Sequence, residues 1–489
     1  MTKKFKKILF FAVLLSFCIC TPVLILYSQG YRYDFQNYRI VQTGGLFFNI
    51  SPPASRIYIN NKLSKKTNFI FGSAFLSGLL PKNYEIKIEK EGYHSWQKTV
   101  KVNEQRVTEY KNIHLFSKDP HFSLLSSQIA GFYVLPSQRQ LLLEKETEYG
   151  WALEKMTLHD KNPQTMVTEK DLLEMLNFNK VEIKKDQTIN LQKITFSSGE
   201  NRALIEATLD GQTLYFVLDL TDKRIYPISV EGIIKKPSFN PQNNDQLFFI
   251  GSHIEKEKGQ YYDQELFTYD YKEQKRLTHL TMPRPEEKII SYKLINNTIL
   301  WLNDLGFLYK GQFKQDRIVL TEILNLKPLK ILEGANYKII TDKQSRIFVQ
   351  ENELLFYLDQ ETRLLTKIFA SLKELSFSDD DKKICLRNDH EIIVNFLEEQ
   401  NVQPLRTKGE RVRLLGVNEM IGQIFWLNNH YLIFSADNSI RIIEIDDRGK
   451  PNLIELTTFN QPKINWLQKQ KSLLVLSSNK LFLSKDILQ

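Results

Sequence analysis

The stretch that decides the fold is Leu375–Leu397, LSFSDDDKKICLRNDHEIIVNFL. It opens with a short apolar strand, breaks at a run of aspartates and lysines, and resumes as the apolar segment Ile384–Leu386. A second polar turn at Asn388–His390 then leads into an alternating segment that ends at Leu397. Short apolar runs bounded by polar turns mark strands of a meander, because each turn supplies side chains that hydrogen-bond their own backbone. Asp379, Asp380 and Asp381 together suggest calcium, but a calcium loop needs a glycine and a distal glutamate where Lys382 and Lys383 stand. The aspartates therefore read as a hairpin turn.

The same order recurs on both sides of this copy, in units of about 40 residues, a period that points to repeat architecture. Ile194–Leu220, ITFSSGENRALIEATLDGQTLYFVLDL, is one copy; Pro237–Gly251, PSFNPQNNDQLFFIG, opens the next, which ends in QELFTYDYKEQKRL at Gln264–Leu277. Further copies fall at about Lys288–Ile323, Leu329–Ile368, Gln423–Leu456 and Lys463–Lys485, after an irregular first one near Phe132–Met166. The unit resembles a TolB/WD40-like β-propeller blade, in which S-F-S-x-D-x-K marks the first hairpin. Ser376, Phe377, Ser378, Asp380 and Lys382 carry the resemblance, and Phe239, Asn240 and Pro241 carry part of it. It implies serine and aspartate capping the turn, an aromatic packed between blades, and a seven- or eight-bladed ring closed by pairing of the terminal strands over residues 119–489. One segment breaks the period. Glu169–Phe178, EKDLLEMLNF, has helical spacing and follows Thr168, with Asp171 three residues on. That predicts a helical insertion at about 168–178, over a rim or the central channel.

Upstream, residues 45–118 show a different β pattern. Tyr84, Ile86 and Ile88 alternate against Glu85, Lys87 and Glu89, and Trp96, Lys98, Val100 and Val102 share a face. Four short strands forming a small sandwich are expected, with Trp96 as the core plug and Asn68–Leu79 as a long apolar loop covering its own module. The order strand, Ser51-Pro52-Pro53-Ala54, strand, Leu80-Pro81, strand, Lys90-Glu91-Gly92-Tyr93, Trp96 resembles the PEGA domain of envelope proteins related to surface-layer sequences. Pro52, Ala54, Ile57, Tyr58, Pro81, Gly92, Tyr93 and Trp96 carry the motif; the resemblance implies surface placement and non-covalent binding.

Residues 1–7 form an expected cytoplasmic tail, residues 8–27 a transmembrane helix, and residues 28–44 a juxtamembrane linker. Ile8–Tyr27 is 20 uncharged residues, including Ile8, Phe10, Leu14, Leu15, Pro22, Leu24 and Tyr27, about the length that spans a ~30 Å hydrocarbon core. Lys3, Lys4, Lys6 and Lys7 precede it; such lysines stay on the cytoplasmic side, which places the bulk of the chain outside. The run exceeds a signal-peptide core and lacks a small-x-small cleavage site, so a retained single-pass anchor in the cell membrane is expected.

Composition narrows the function. Of the net charge of +9, those four lysines supply four, leaving a mildly basic body without a clustered Lys/Arg stripe, and this argues against nucleic acid. The three cysteines, Cys18, Cys20 and Cys385, build neither a disulfide framework nor a metal site in the exported part, and the eight histidines lack metal-binding spacing. No nucleophile elbow or phosphate-binding loop is present, so no catalytic, metal or cofactor residues are expected. The sequence reads as a non-enzymatic envelope protein whose propeller is an interaction platform for an envelope protein or surface polymer. The alternative is an extracytoplasmic propeller hydrolase or lyase for glycans or peptides, with carboxylates contributed by different blades.

Overall fold

The computed structural model describes residues 3–158, 162–178, 187–230, 232–255, 260–280, 282, 284, 286–314, 317–485 and 487–488. Helix α1, Lys3–Ser28, has Pro22 inside it, and its apolar side chains are exposed: Phe10 is 63% exposed and Leu24 65%. Ile8, Leu14, Leu15 and Tyr27 are exposed as well, and Lys4, Lys6 and Lys7 lie on its first turns. Within the expected juxtamembrane linker the chain forms a hairpin, Tyr31–Asp34 with Arg39–Gln42. Arg32 ties it to the helix end by donating to the Tyr27 carbonyl at 2.8 Å and stacking over the Tyr27 ring at 3.3 Å.

The next module has seven strands rather than four, in two sheets. Gly44–Ser51 lies at the centre of a three-stranded sheet, antiparallel to Ser73–Leu79 and parallel to Val107–His114. The second sheet runs Lys62–Lys66, Arg56–Ile59, Asn83–Glu89, Trp96–Lys101. The expected Asn68–Leu79 loop is therefore half strand. Sequence alternation was too weak to show this, because Ser73–Leu79 buries only Ala74 and Leu76 while Phe69, Ile70 and Phe71 stay on an exposed tip. Trp96 is fully buried between the sheets, edge-on to Tyr110 at 5.5 Å, with Ile57 in the same core. Pro52 and Ala54 form the bend between Gly44–Ser51 and Arg56–Ile59, where Tyr58 is half-buried. Pro81 precedes Asn83–Glu89, and Gly92, at φ +80°, turns the chain toward Tyr93 and Trp96.

From Phe122 to Ser484 the strands form eight four-stranded antiparallel sheets among the described residues. Blade 1 runs from Ile129–Val134 to Gln164–Thr168, blade 2 from Asn190–Phe196 to Ile225–Pro227, and blade 3 from Ile233–Phe239 to Lys275–His279. Blade 4 runs from Ile289–Ile295 to Arg317–Ile323, blade 5 from Tyr337–Thr341 to Leu365–Phe369, and blade 6 from Glu374–Phe377 to Arg411–Gly416. Blade 7 runs from Ile421–Asn428 to Leu453–Thr458. Blade 8 joins Lys463–Leu467, Ser472–Ser477 and Lys480–Ser484 to a fourth strand from the far end of the repeat region, Phe122–Ser127.

Each pair of successive blades shares an apolar core, and the series returns on itself. Leu204 and Val217 of blade 2 pack on Phe249 and Phe267 of blade 3, and Cys385 and Val394 of blade 6 on Trp426 and Phe434 of blade 7. Leu474 and Leu481 of blade 8 pack on Leu141 and Leu143 of blade 1. A chain of blades that ends against its own beginning is a closed ring, which removes the free sheet edges of an open array. The protein is thus an eight-bladed β-propeller carrying a small β-sandwich and a long apolar helix. Helix α2, Glu169–Phe178, buries Leu172 and Leu176 in the core shared by blades 1 and 2, packed on strands Gly150–Thr157, Gln164–Thr168 and Ile225–Pro227. Its start is a reciprocal cap: the Thr168 hydroxyl and N–H both donate to Asp171, at 2.7 Å, and the Asp171 N–H donates back at 3.2 Å.

Candidate functional site: the cleft between the two β modules

The sandwich and the propeller meet along one continuous seam. On strand Trp96–Lys101 the inward positions are Trp96, Lys98 and Val100, so alternation forces a lysine onto an apolar face. Its charge is answered from blade 7. Lys98 forms a buried ion pair with Glu444 and donates to the Asp446 carbonyl, with the Asp446 carboxylate 3.8 Å away. Trp96 donates to the same Glu444 at 2.9 Å, so the residue that fills the sandwich core also crosses the seam. Burial raises the Glu444 carboxyl, and Lys98 partly offsets it.

Backbone and ring contacts extend the seam in both directions. The His114 N–H donates to the Tyr431 hydroxyl at 3.0 Å, and Phe116 stands edge-on to the Tyr431 ring at 5.3 Å. The Arg448 guanidinium stacks over Tyr110 at 4.0 Å, donates to the Glu109 carbonyl at 2.8 Å, and pairs with Asp446 at 2.6 Å. Burial pushes the Tyr110 phenol up to about 12 despite that neighbouring cation. Gly449 lets the loop approach strand Trp96–Lys101: at φ +79° its Cβ would stand 2.6 Å from the Thr99 carbonyl.

Beside the seam lies a cleft of about 980 Å³ with one wall from each module. Asn83, Glu85, Gln97, Thr99, Lys101 and Arg106 line the sandwich side, and Gln403, Arg406, Asp447, Arg448 and Lys450 the propeller side. Arg406 is committed to Glu410 at 2.6 Å and to Asp447, whereas Lys101, Arg106 and Lys450 are exposed. A groove of this size, rich in amide, hydroxyl and cationic donors, suits an elongated polar ligand held by hydrogen bonds. Neither the cleft's propeller wall nor the seam charges stood out in the sequence; Lys98 at an inward position was the one visible sign.

The blade-turn residues serve the turn itself. Ser378 donates to Asp380 at 2.6 Å, the Lys382 N–H donates to Asp380 at 3.1 Å, and Lys383 pairs with it at 2.9 Å. Phe377 packs on Phe348 of blade 5 at 5.4 Å, while the Ser376 carbonyl accepts from Trp426 at 3.1 Å. Lys382 is exposed, 3.8 Å from Glu398. Cys385 lies fully buried between blades 6 and 7, where burial raises its thiol. Of the histidines, His159 lies outside the described residues; among those residues no cluster of three metal-ligating side chains occurs.

Residues 43–114 match the PEGA domain family. The propeller is similar to the Dos1 propeller, with 12% identity over 75% of this chain and 95% of that one and a TM-score of 0.44. The C-terminal WD40 domain of Sif2 gives 8% identity, 75% and 98% coverage, and a TM-score of 0.44. The computationally designed Ika8 protein gives 11% identity, 75% and 98% coverage, and a TM-score of 0.42. No curated protein matches the chain.

Proposed function

We propose that this protein is a non-enzymatic binding platform of the cell envelope, held by α1 as a retained anchor. Its amino terminus faces the cytoplasm, and its two β modules stand outside, engaging an envelope protein or surface polymer. The observation that carries this reading is the cleft. Both modules wall it, and the Trp96–Lys98–Glu444 seam fixes their relation, so the ligand surface is preorganised rather than assembled on binding. The exposed apolar helix with lysines on its first turns supports the placement.

The test is photo-crosslinking in intact cells from a reactive residue at Gln97 or Lys450, with an identical probe at Leu326, away from the cleft, as reference. One partner captured from the cleft positions alone is the expected result. Equal capture from all three positions, or turnover of a glycan or peptide by the purified chain, would overturn the reading.

A further inference from the structure

The hairpin that follows α1 divides its side chains unequally between two faces. Tyr31 opposes Gln42 and Tyr33 opposes Ile40, so these four share one face, while Arg32, Asp34, Arg39 and Val41 share the other. The second face is tied down. Arg32 reaches back to the Tyr27 carbonyl and ring, and Val41 is buried. The Asp34 carboxylate caps the turn, accepting from the Gln36 N–H at 2.9 Å and from the Asn37 side chain at 2.8 Å. The first face is open. Tyr33 and Ile40 are exposed on it, Phe35 stands edge-on to Tyr33 at 5.0 Å and is 78% exposed, and Tyr38 in the same turn is 81% exposed. A two-stranded hairpin is marginal in water by itself, and a cluster of large apolar side chains on one marks a surface that something covers.

The position of the hairpin names the cover. The chain leaves α1 at Ser28 and enters the hairpin at Tyr31, within ~10 Å of the helix end at ~3.3 Å per residue. Strand Tyr31–Asp34 packs against α1. The returning strand is tied to the same place: the Gln42 amide donates to the Gln29 carbonyl at 3.2 Å, and the Thr43 hydroxyl to the Gly30 carbonyl at 2.9 Å. Both ends of the hairpin are therefore held at the helix terminus. The 26 residues of α1 extend ~39 Å, more than a ~30 Å hydrocarbon core, so a helix that spans the bilayer brings Tyr27 and the hairpin to headgroup level. Tyrosine rings gather at that level because their bodies are apolar and their hydroxyls stay wet.

We propose that this hairpin is a second membrane contact, with Tyr33, Phe35, Tyr38 and Ile40 seated in the headgroup boundary of the bilayer that α1 spans. The proposal rests on the retained-anchor reading and adds a lipid-facing surface to the exported body. A single helix leaves the body above it free to tilt. A hairpin seated beside that helix restrains the sandwich, whose first strand starts at Gly44, directly after Thr43.

The test uses the full chain in vesicles of equal parts phosphatidylethanolamine and phosphatidylglycerol. An environment-sensitive fluorophore is attached in turn to Phe35→Cys and to Leu326→Cys, each with Cys18→Ser and Cys20→Ser, and to Cys18 itself with Cys20→Ser; Cys385 is buried and stays unlabelled. The label at position 35 should emit at shorter wavelength than the one at position 326. It should lose more emission to lipids with a nitroxide at the headgroup than to lipids with one at mid-chain, whereas the Cys18 label should show the reverse order. Tyr33→Ser with Ile40→Ser, neither of them a buried residue, should return the position 35 emission to that of position 326. Quenching at Cys18 with none at position 35 would overturn the proposal and leave the anchor standing, and no quenching at Cys18 would remove both. A shift to shorter wavelength without lipid quenching would mean that protein, such as a second copy of the chain, covers the face, and would overturn the proposal as well.

Discussion

At the scale of single residues, the seam depends on charges that water cannot reach. Lys98 is fully buried and Glu444 nearly so, and each is the other's main compensation. Removing one member of such a pair strands the other, so Lys98→Met should destabilise the chain by about 3–5 kcal/mol near neutral pH. Lys98→Met with Glu444→Gln should recover part of that loss, read from urea unfolding; a double variant no better than the single would refute the pairing. His114 and His430 flank the same seam, and burial holds both down at about 4, with Lys471 and Lys383 respectively adding to the effect. Asp380 and Asp446 pull His430 the other way without reversing it. An unfolded histidine titrates near ~6.5, so between about 4 and 6.5 the unfolded chain binds the extra protons. The stability these two neutral rings contribute is therefore complete above that window and drains away as pH falls through it. Thermal midpoints should drop over this range, and His114→Gln combined with His430→Gln should flatten the slope. An unchanged slope would show that other groups govern acid sensitivity.

At the scale of elements, ring closure rests on one antiparallel pair whose partners lie at opposite ends of the repeat region. Phe122–Ser127 runs along Lys480–Ser484, with Phe122 opposite Ser484 and Ser127 opposite Lys480. The closing strand also contributes Phe122, edge-on to Phe459 at 5.2 Å. Ser127→Cys with Lys480→Cys should form a disulfide on mild oxidation, visible as a shift in electrophoretic mobility, and it should raise the unfolding midpoint. The gain is expected at about 3–5 kcal/mol, because closing so long a loop removes much of the unfolded chain's freedom. Failure of the two thiols to join would contradict this register. Alternation and turn chemistry made most blade hairpins legible in the sequence, as in Ser376–Lys382. The seven-stranded form of the sandwich was not legible, because strand Ser73–Leu79 alternates poorly and Lys62–Lys66 has no buried residue.

At the scale of the whole molecule, the seam makes the two β modules one mechanical body. They should unfold in a single calorimetric transition, and Gly449→Val should split it in two by forcing a side chain against the Thr99 carbonyl. Two transitions in the unaltered chain would sink that view. Local pattern was enough to give the apolar helix, the strand-rich body, the blade-like repeat and the core role of Trp96, because each follows from the spacing of apolar and turn residues along a few neighbouring positions. The number of blades, the identity and register of the closing strand, and the partner of Lys98 came only with the tertiary structure. Lys98 and Glu444 lie far apart along the chain, and only the docking of the sandwich on blade 7 turns these two charges into neighbours.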